Sequence, residues 1–143
     1  MPAKKRVQAG DIIAIPFGEQ QVAVAIVLHL SKEIVNGIMV GIYDRCYGSI
    51  DEIRVEDLGG DFIDVPNYTG KQMVRDGDWP VIGHRADLLA ATPIPELRSA
   101  NILYHKDTVV RMLSREEERN YPVQGGAGMG YVENQLRKHF AQR

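Results

Sequence analysis

Three side chains are candidates for acid–base chemistry: His84, Asp87 and His105. An imidazole titrates near neutral pH, and together with a carboxylate it can move a proton during hydrolysis. His84 and Asp87 are three residues apart in one predicted loop, and His105 would have to reach them from a distant part of the chain. A spacing of three is common by chance, so a structural role is favoured and a small hydrolase is the alternative.

The sequence lacks the patterns that specify a metal, a serine nucleophile or a nucleotide. The histidines have no zinc-ligand spacing, and no G-x-S-x-G elbow is present. The glycine-rich run at 125–130 matches neither nucleotide-binding fingerprint, because no strand leads into it and no Lys-Ser/Thr pair follows. The single cysteine, Cys46, is interpreted as a small packing residue. We therefore expect no metal and no cofactor.

Carboxylates concentrate in one stretch, Asp44 to Asp64, which carries seven acidic side chains against Arg45 and Arg54. The whole chain has a net charge of only −2. A local excess of negative charge indicates either a solvated loop or a surface for a basic partner. The overall balance argues against nucleic acid as that partner.

Size and composition indicate a single domain spanning residues 1–143, because hydrophobic cores usually split only beyond ~250 residues. Residues 1–8 are predicted to form a flexible tail, and 124–130 a glycine-rich linker to a C-terminal helix at 131–142. The longest apolar run is less than half of the ~20 residues that span a bilayer, and the basic N-terminus leads into no apolar signal core. We expect a cytoplasmic protein without a membrane partner.

The elements that would position these residues begin with three strands. Alternating apolar residues predict strands at 11–17, 22–30 and 38–43, the last two joined by a tight turn at Asn36-Gly37. The second strand is apolar on both faces, which places it centrally in the sheet. The spacing of Val132, Leu136 and Phe140 predicts an amphipathic C-terminal helix.

The remainder is less regular. We predict a short helix over 50–58, strands at 62–65 and 79–83, an extended crossover at 92–95, and two strands at 101–104 and 108–113 around a turn. The fold class is α+β and β-rich, an antiparallel meander that ends in a helix.

Two motifs resemble the immunity protein 26 family of small bacterial proteins. They are Gly10-Asp11-Ile12-Ile13-Ala14-Ile15-Pro16 and Asp78-Trp79-Pro80-Val81-Ile82-Gly83-His84. The first also occurs in small SH3-like barrels, so the meander is expected to curl into an SH3-like half-barrel. Trp79 and Gly83 would be the family's recurring residues, and a structural role explains both.

The resemblance implies a non-catalytic protein that binds and neutralises a toxin domain delivered by a neighbouring cell. Many such toxins are nucleases, whose clefts are basic because they hold phosphates. The toxin-binding residues would be five carboxylates of the acidic stretch: Asp51, Glu52, Glu56, Asp57 and Asp61. Some relatives carry a phosphotriesterase label, which keeps the hydrolase alternative open. The third hypothesis for the function is an SH3-like module that binds protein or RNA.

Overall fold

The computed structural model describes residues 6–127 and 129–141. In chain order the strands are β1 (Asp11–Gly18), β2 (Gln21–Leu30), β3 (Gly37–Tyr47), β4 (Asn67–Gly70), β5 (Val81–His84), β6 (Glu96–Ser99), β7 (Ile102–His105), β8 (Thr108–Met112) and β9 (Gly126–Ala127). The helices are α1 (Gln72–Arg75), α2 (Ala86–Ala91), α3 (Arg115–Glu118) and α4 (Met129–Ala141).

Among the described residues, strands β1 to β5 and strand β9 make one open sheet, in the order β5-β1-β2-β3-β4-β9. Its neighbours are antiparallel, except for the parallel pair β4–β9. The predicted β-rich α+β class with an antiparallel meander and a C-terminal helix is confirmed. Within residues 6–127 and 129–141, the sheet ends at β5 and β9 and does not close into a barrel.

The central position of β2 is confirmed. This strand pairs with β1 on one side and β3 on the other, and every residue from Val22 to Leu28 is buried. The turns on either side of it contain Gln20 (φ 55°) and Asn36 (φ 56°), both in the left-handed region. Asparagine adopts this conformation readily, so Asn36 suits the turn that the sequence predicts there.

An apolar layer covers each face of the sheet. One layer contains Ile13, Ile15, Phe17, Ala25, Val27, Ile38, Trp79, Val132, Leu136 and Phe140. The other contains Ile12, Val24, Ile26, Leu28, Met39, Tyr43, Leu58, Tyr68 and Leu97. Alternate residues of each strand belong to opposite layers, because side chains in a strand point to opposite faces.

Helix α4 packs on the first layer through the three residues that its sequence period predicts. Val132, Leu136 and Phe140 are buried, and the Phe140 ring stacks on Phe17 with centroids 5.7 Å apart. The Arg137 guanidinium donates to the Phe17 carbonyl oxygen at 2.8 Å, which fixes the helix against the end of β1.

The structure describes only part of the predicted N-terminal tail and part of the predicted glycine-rich linker. Residues 1–5 of the predicted tail lie outside the described residues, but Val7 is buried in the first layer. In the predicted linker, Gly126–Ala127 pair with β4 as strand β9, and residue 128 lies outside the described residues.

The second sheet, in the order β6-β7-β8, is attached to the first by a polar clasp. The carboxylate of Asp107, in the β7–β8 turn, lies 3.1 Å from His29 Nε2 and accepts from the Ser31 hydroxyl at 2.6 Å and the Lys32 N–H at 2.9 Å. Burial alone would raise the pKa of Asp107, but these three hydrogen bonds outweigh burial and hold it below the ordinary value. The clasp therefore binds the ionised carboxylate.

Asp107→Asn is expected to lower the free energy of unfolding by about 1–3 kcal/mol at pH 7, because one clasp donor loses its acceptor. A folded-state pKa below the ordinary value of 3.8 means that this stabilisation is complete above that pH. It is lost as the pH falls through the lowered value, so the two proteins should converge in acid. Urea unfolding between pH 7 and pH 3 measures this; Asp78→Asn, at an exposed position, is the control. A difference that persists unchanged at pH 3 would contradict the clasp.

Two local predictions are wrong. The predicted helix at 50–58 is a pair of single 3-10 turns, Ile50–Glu52 and Val55–Asp57. The predicted strand at 62–65 is one isolated bridge between Phe62 and Tyr43. In both places the chain forms too few repeated hydrogen bonds for a regular element, because its apolar residues face the sheet at irregular intervals.

Candidate functional site

The residues from Asp44 to Asp64, here called the acidic segment, begin within β3, leave it after Tyr47 and return to pair with it. The Asp44 N–H donates to the Asp61 carbonyl at 3.0 Å, and the Ile63 N–H donates to the Ile42 carbonyl at 2.8 Å. Both ends of the segment are thus fixed to the same strand. The residues between these two hydrogen bonds form a loop that begins and ends at β3, so the main sheet determines its position.

Apolar side chains pack the acidic segment against the second apolar layer. Leu58 is buried, and Ile53 and Val55 are partly buried against the same layer. Phe62 lies on the backbone of Gly41, where a Cβ atom would be only 2.7 Å from two ring carbons. Glycine at this position therefore allows the aromatic ring to contact β3 directly.

All five carboxylates proposed from the sequence are exposed. Glu52 accepts the Gly48 N–H at 2.9 Å, and Glu56 is 4.0 Å from Arg54, with both side chains more than 70% exposed. An ion pair that is this long and this exposed contributes little to the stability of the fold. Asp44 differs from the five, because it is 2.8 Å from His139 Nε2 and connects β3 to α4.

Gly83 and Arg85 fix the middle of the acidic segment over β5. A Cβ atom at Gly83 would lie 2.8 Å from Val55 Cγ1, so glycine gives Val55 the space it occupies. The Arg85 guanidinium donates to the Val55 carbonyl at 2.7 Å and makes two bonds, of 2.8 and 2.7 Å, to Asp87. That bidentate hydrogen bonding lowers the pKa of Asp87 to about 2. Asp87 thus orients the arginine that holds the segment.

Gly83→Ala is expected to destabilise the fold by about 1–3 kcal/mol, because Val55 is β-branched and cannot rotate away cheaply. Thermal unfolding measures this, with Gly70→Ala as the matched control, since a Cβ at Gly70 meets open space among the described residues. Adding Val55→Ala should recover part of the Gly83→Ala loss. If the stability losses of the two substitutions simply added, the contact between residue 83 and Val55 would not be the cause of the Gly83→Ala loss.

The hydrolase candidates are not brought together. His84 Nδ1 lies 2.9 Å from Asp11 Oδ1, and Asp87 is paired with Arg85 instead. His105 is exposed on β7 in the second sheet. The recorded partners of His84 and Asp87 therefore differ, and His105 lies in the other sheet.

The pair Asp11–His84 joins the two sequence motifs. Asp11 opposes His84 in the β1–β5 pairing, and its second carboxylate oxygen accepts the Gln8 N–H at 2.9 Å. Gly10 has φ +96°, and a Cβ there would lie 2.8 Å from the His84 ring. The two motifs thus meet as neighbouring strands, with the imidazole lying over a glycine.

Several side chains that hold the site together carry no signal in the local sequence, and the predicted role of Cys46 is wrong. Asp11, Asp107 and Arg85 carry no local signal of this role, because Asp11 contacts His84, Asp107 contacts His29 and Arg85 contacts the Val55 carbonyl, all distant in the sequence. Cys46 is exposed in β3, so its interpretation as a packing residue is wrong. Trp79 is only 1% exposed, as a structural anchor would be. No group of three or more His, Cys, Asp or Glu side chains within 6–127 and 129–141 is arranged to hold a metal ion.

The described residues thus form an open sheet with a rigidly attached, exposed acidic segment, an arrangement suited to binding another macromolecule. A family model described as Immunity protein 26 matches residues 8–106. The chain therefore belongs to the immunity protein 26 family, which supports an immunity role with a protein partner. Comparisons with curated proteins and with solved structures give no match. In the described part of the chain, no helix has the length and apolar character needed to cross a bilayer.

Proposed function

We propose that this chain, as a single domain in the cytoplasm, neutralises a toxin domain of a polymorphic toxin system by binding it. The acidic segment is the contact surface, and Asp51, Glu52, Glu56, Asp57 and Asp61 face the toxin. The observation that carries the proposal is the exposure of all five carboxylates on a segment that is fixed at both ends.

The charge of the segment defines the partner's surface. Exposed carboxylates complement a cleft lined by Lys and Arg, which is the surface that a nuclease uses to hold phosphates. The proposed target is therefore a nuclease domain whose active cleft the segment occupies. Charge complementarity of this kind mainly accelerates association and selects the partner.

The packing of the segment supports the same role. Leu58, Val55 and Phe62 bind it to the sheet, and Arg85 holds its backbone. A segment that is ordered before binding loses less conformational entropy when the complex forms. The carboxylates are therefore presented on a preformed surface.

The test takes the open reading frame adjacent to the gene for this chain, which we expect to encode the toxin domain. Co-expression with this chain should restore growth of cells that produce the toxin, and the purified proteins should form a complex that blocks cleavage of nucleic acid. A toxin that leaves nucleic acid intact would overturn the nuclease assignment. Absence of both a complex and protection would overturn the proposed function.

A further inference from the structure

A groove lies between strands β3 and β4 on one side and helix α4 on the other. It encloses about 430 Å³, within the range of pockets that hold small molecules or buried side chains. Val40, Ile42, Ile63 and Val132 are among the residues that line it. The groove thus contains an aliphatic cluster beside polar side chains that include Asn67, Thr69 and Gln135.

The outer wall of the groove is fixed by a side-chain clamp. Asn67 Nδ2 donates to the Val123 carbonyl at 2.8 Å, and Asn67 Oδ1 accepts the Gly125 N–H at 2.9 Å. The next residues pair with β4 as strand β9. These bonds hold the wall at a set distance from the sheet, so the groove is preformed.

The rim of the groove is apolar and exposed. Val65, Val123 and Tyr131 line it with exposures of 45%, 54% and 66%. Exposed apolar residues that surround a cavity are typical of an anchor site for a partner side chain.

The charge at the groove is negative. Asp64 belongs to the acidic segment and lines the groove, and its exposed carboxylate accepts only the N–H of its neighbour Val65, at 2.7 Å, among the contacts of the described residues. The described residues lining the groove include no Lys, Arg or His. A cavity with aliphatic walls and an exposed carboxylate at its rim complements an apolar group that carries a nearby cation.

We propose that this groove is the anchor site of the toxin interface and takes an aromatic or aliphatic side chain flanked by Lys or Arg. The inference rests on the proposed function and adds a second, apolar contact to the acidic one. The acidic segment governs how fast the partners meet, and the groove governs how long they stay together.

The kinetic test compares two neutral triple variants against the toxin domain encoded beside this gene. Val65→Ser/Val123→Ser/Tyr131→Ser empties the rim and should accelerate dissociation roughly 30-fold or more, with little change in the association rate. Val109→Ser/Val110→Ser/Met112→Ser is the matched control, because these β8 residues have similar exposures of 56%, 45% and 69%. If the rim variant dissociates like the wild type while toxin binding persists, the groove proposal is wrong and the proposed function stands.

A second measurement needs no toxin, so it distinguishes a failure of the groove proposal from a failure of the proposed function. NMR titration with phenethylamine, an aromatic cation, should shift signals of Ile42, Ile63 and Val65, and the rim variant should lose the effect. The anion 3-phenylpropionate should bind several-fold more weakly, because Asp64 repels it. Equal shifts from both compounds, or shifts confined to other parts of the protein, would overturn the assigned chemistry even if the toxin binds.

Discussion

Trp79→Ala is expected to lower the free energy of unfolding by about 3–5 kcal/mol, the largest stability effect of any single change considered. The side chain is 1% exposed and belongs to the apolar layer between the sheet and α4. Its removal leaves a cavity that β1 and the helix cannot close, because α4 is also held by Arg137 and by the Phe17–Phe140 stack. Urea unfolding followed by circular dichroism gives the difference.

Trp79→Phe provides the matched comparison. The indole N–H has no hydrogen-bond partner among the described residues, so phenylalanine removes an unsatisfied buried donor while keeping most of the apolar volume. Its cost should be less than half that of alanine. An alanine variant as stable as the phenylalanine variant would contradict the role of Trp79 as a packing anchor.

Neutralising three carboxylates of the acidic segment should slow association with the toxin at least 10-fold at low ionic strength, because steering by charge accelerates encounter by 10- to 1,000-fold. The variant is Asp51→Asn/Glu56→Gln/Asp57→Asn. Glu52 is left intact because it accepts a backbone N–H. The fold should be unaffected, since all three replaced side chains are exposed. Stopped-flow mixing with the purified toxin domain measures the rate constant.

The control for this variant removes the same charge elsewhere. Glu19→Gln/Glu33→Gln/Asp78→Asn also replaces three exposed carboxylates, and either set changes the net charge from −2 to +1. If net charge alone mattered, the two variants would be slowed equally. The two variants are therefore also compared at about 0.1 M salt, where charges beyond a Debye length of roughly 10 Å are largely screened, and there we expect the control to stay within about 2-fold of the wild type.

The parts of the fold that sequence predicts are those with strong local periodicity. Strands β1 to β3 follow from alternating apolar residues, and α4 follows from Val132, Leu136 and Phe140. By contrast, β6 has one buried residue, Leu97, among Glu96, Arg98 and Ser99, so no alternation marks it as a strand. Helix α2 is not predicted from the sequence either, because none of its residues is buried and it therefore has no buried apolar face to mark it.

The acidic segment shows what local sequence can indicate about the site. The excess of negative charge is visible in the sequence, and so is the place of Gly83 in the motif that resembles the family. The reason for Gly83 is not visible, because Val55 contacts it only after the segment crosses to β5. His84 shows the same limit: a carboxylate three residues away suggested a pair, yet the partner is Asp11, 73 residues away. Hydrogen bonds between distant strands follow from topology, which local spacing does not contain.

The most direct test of electrostatic toxin binding is the association rate constant measured across a range of ionic strength. Dissolved salt screens exposed charges, so the wild-type rate should fall steeply as salt increases. The Asp51/Glu56/Asp57 variant should show a much shallower fall, and the two curves should converge at high salt. Parallel curves for the two proteins would contradict the account, because the acidic segment would then play no part in bringing the toxin to its inhibitor.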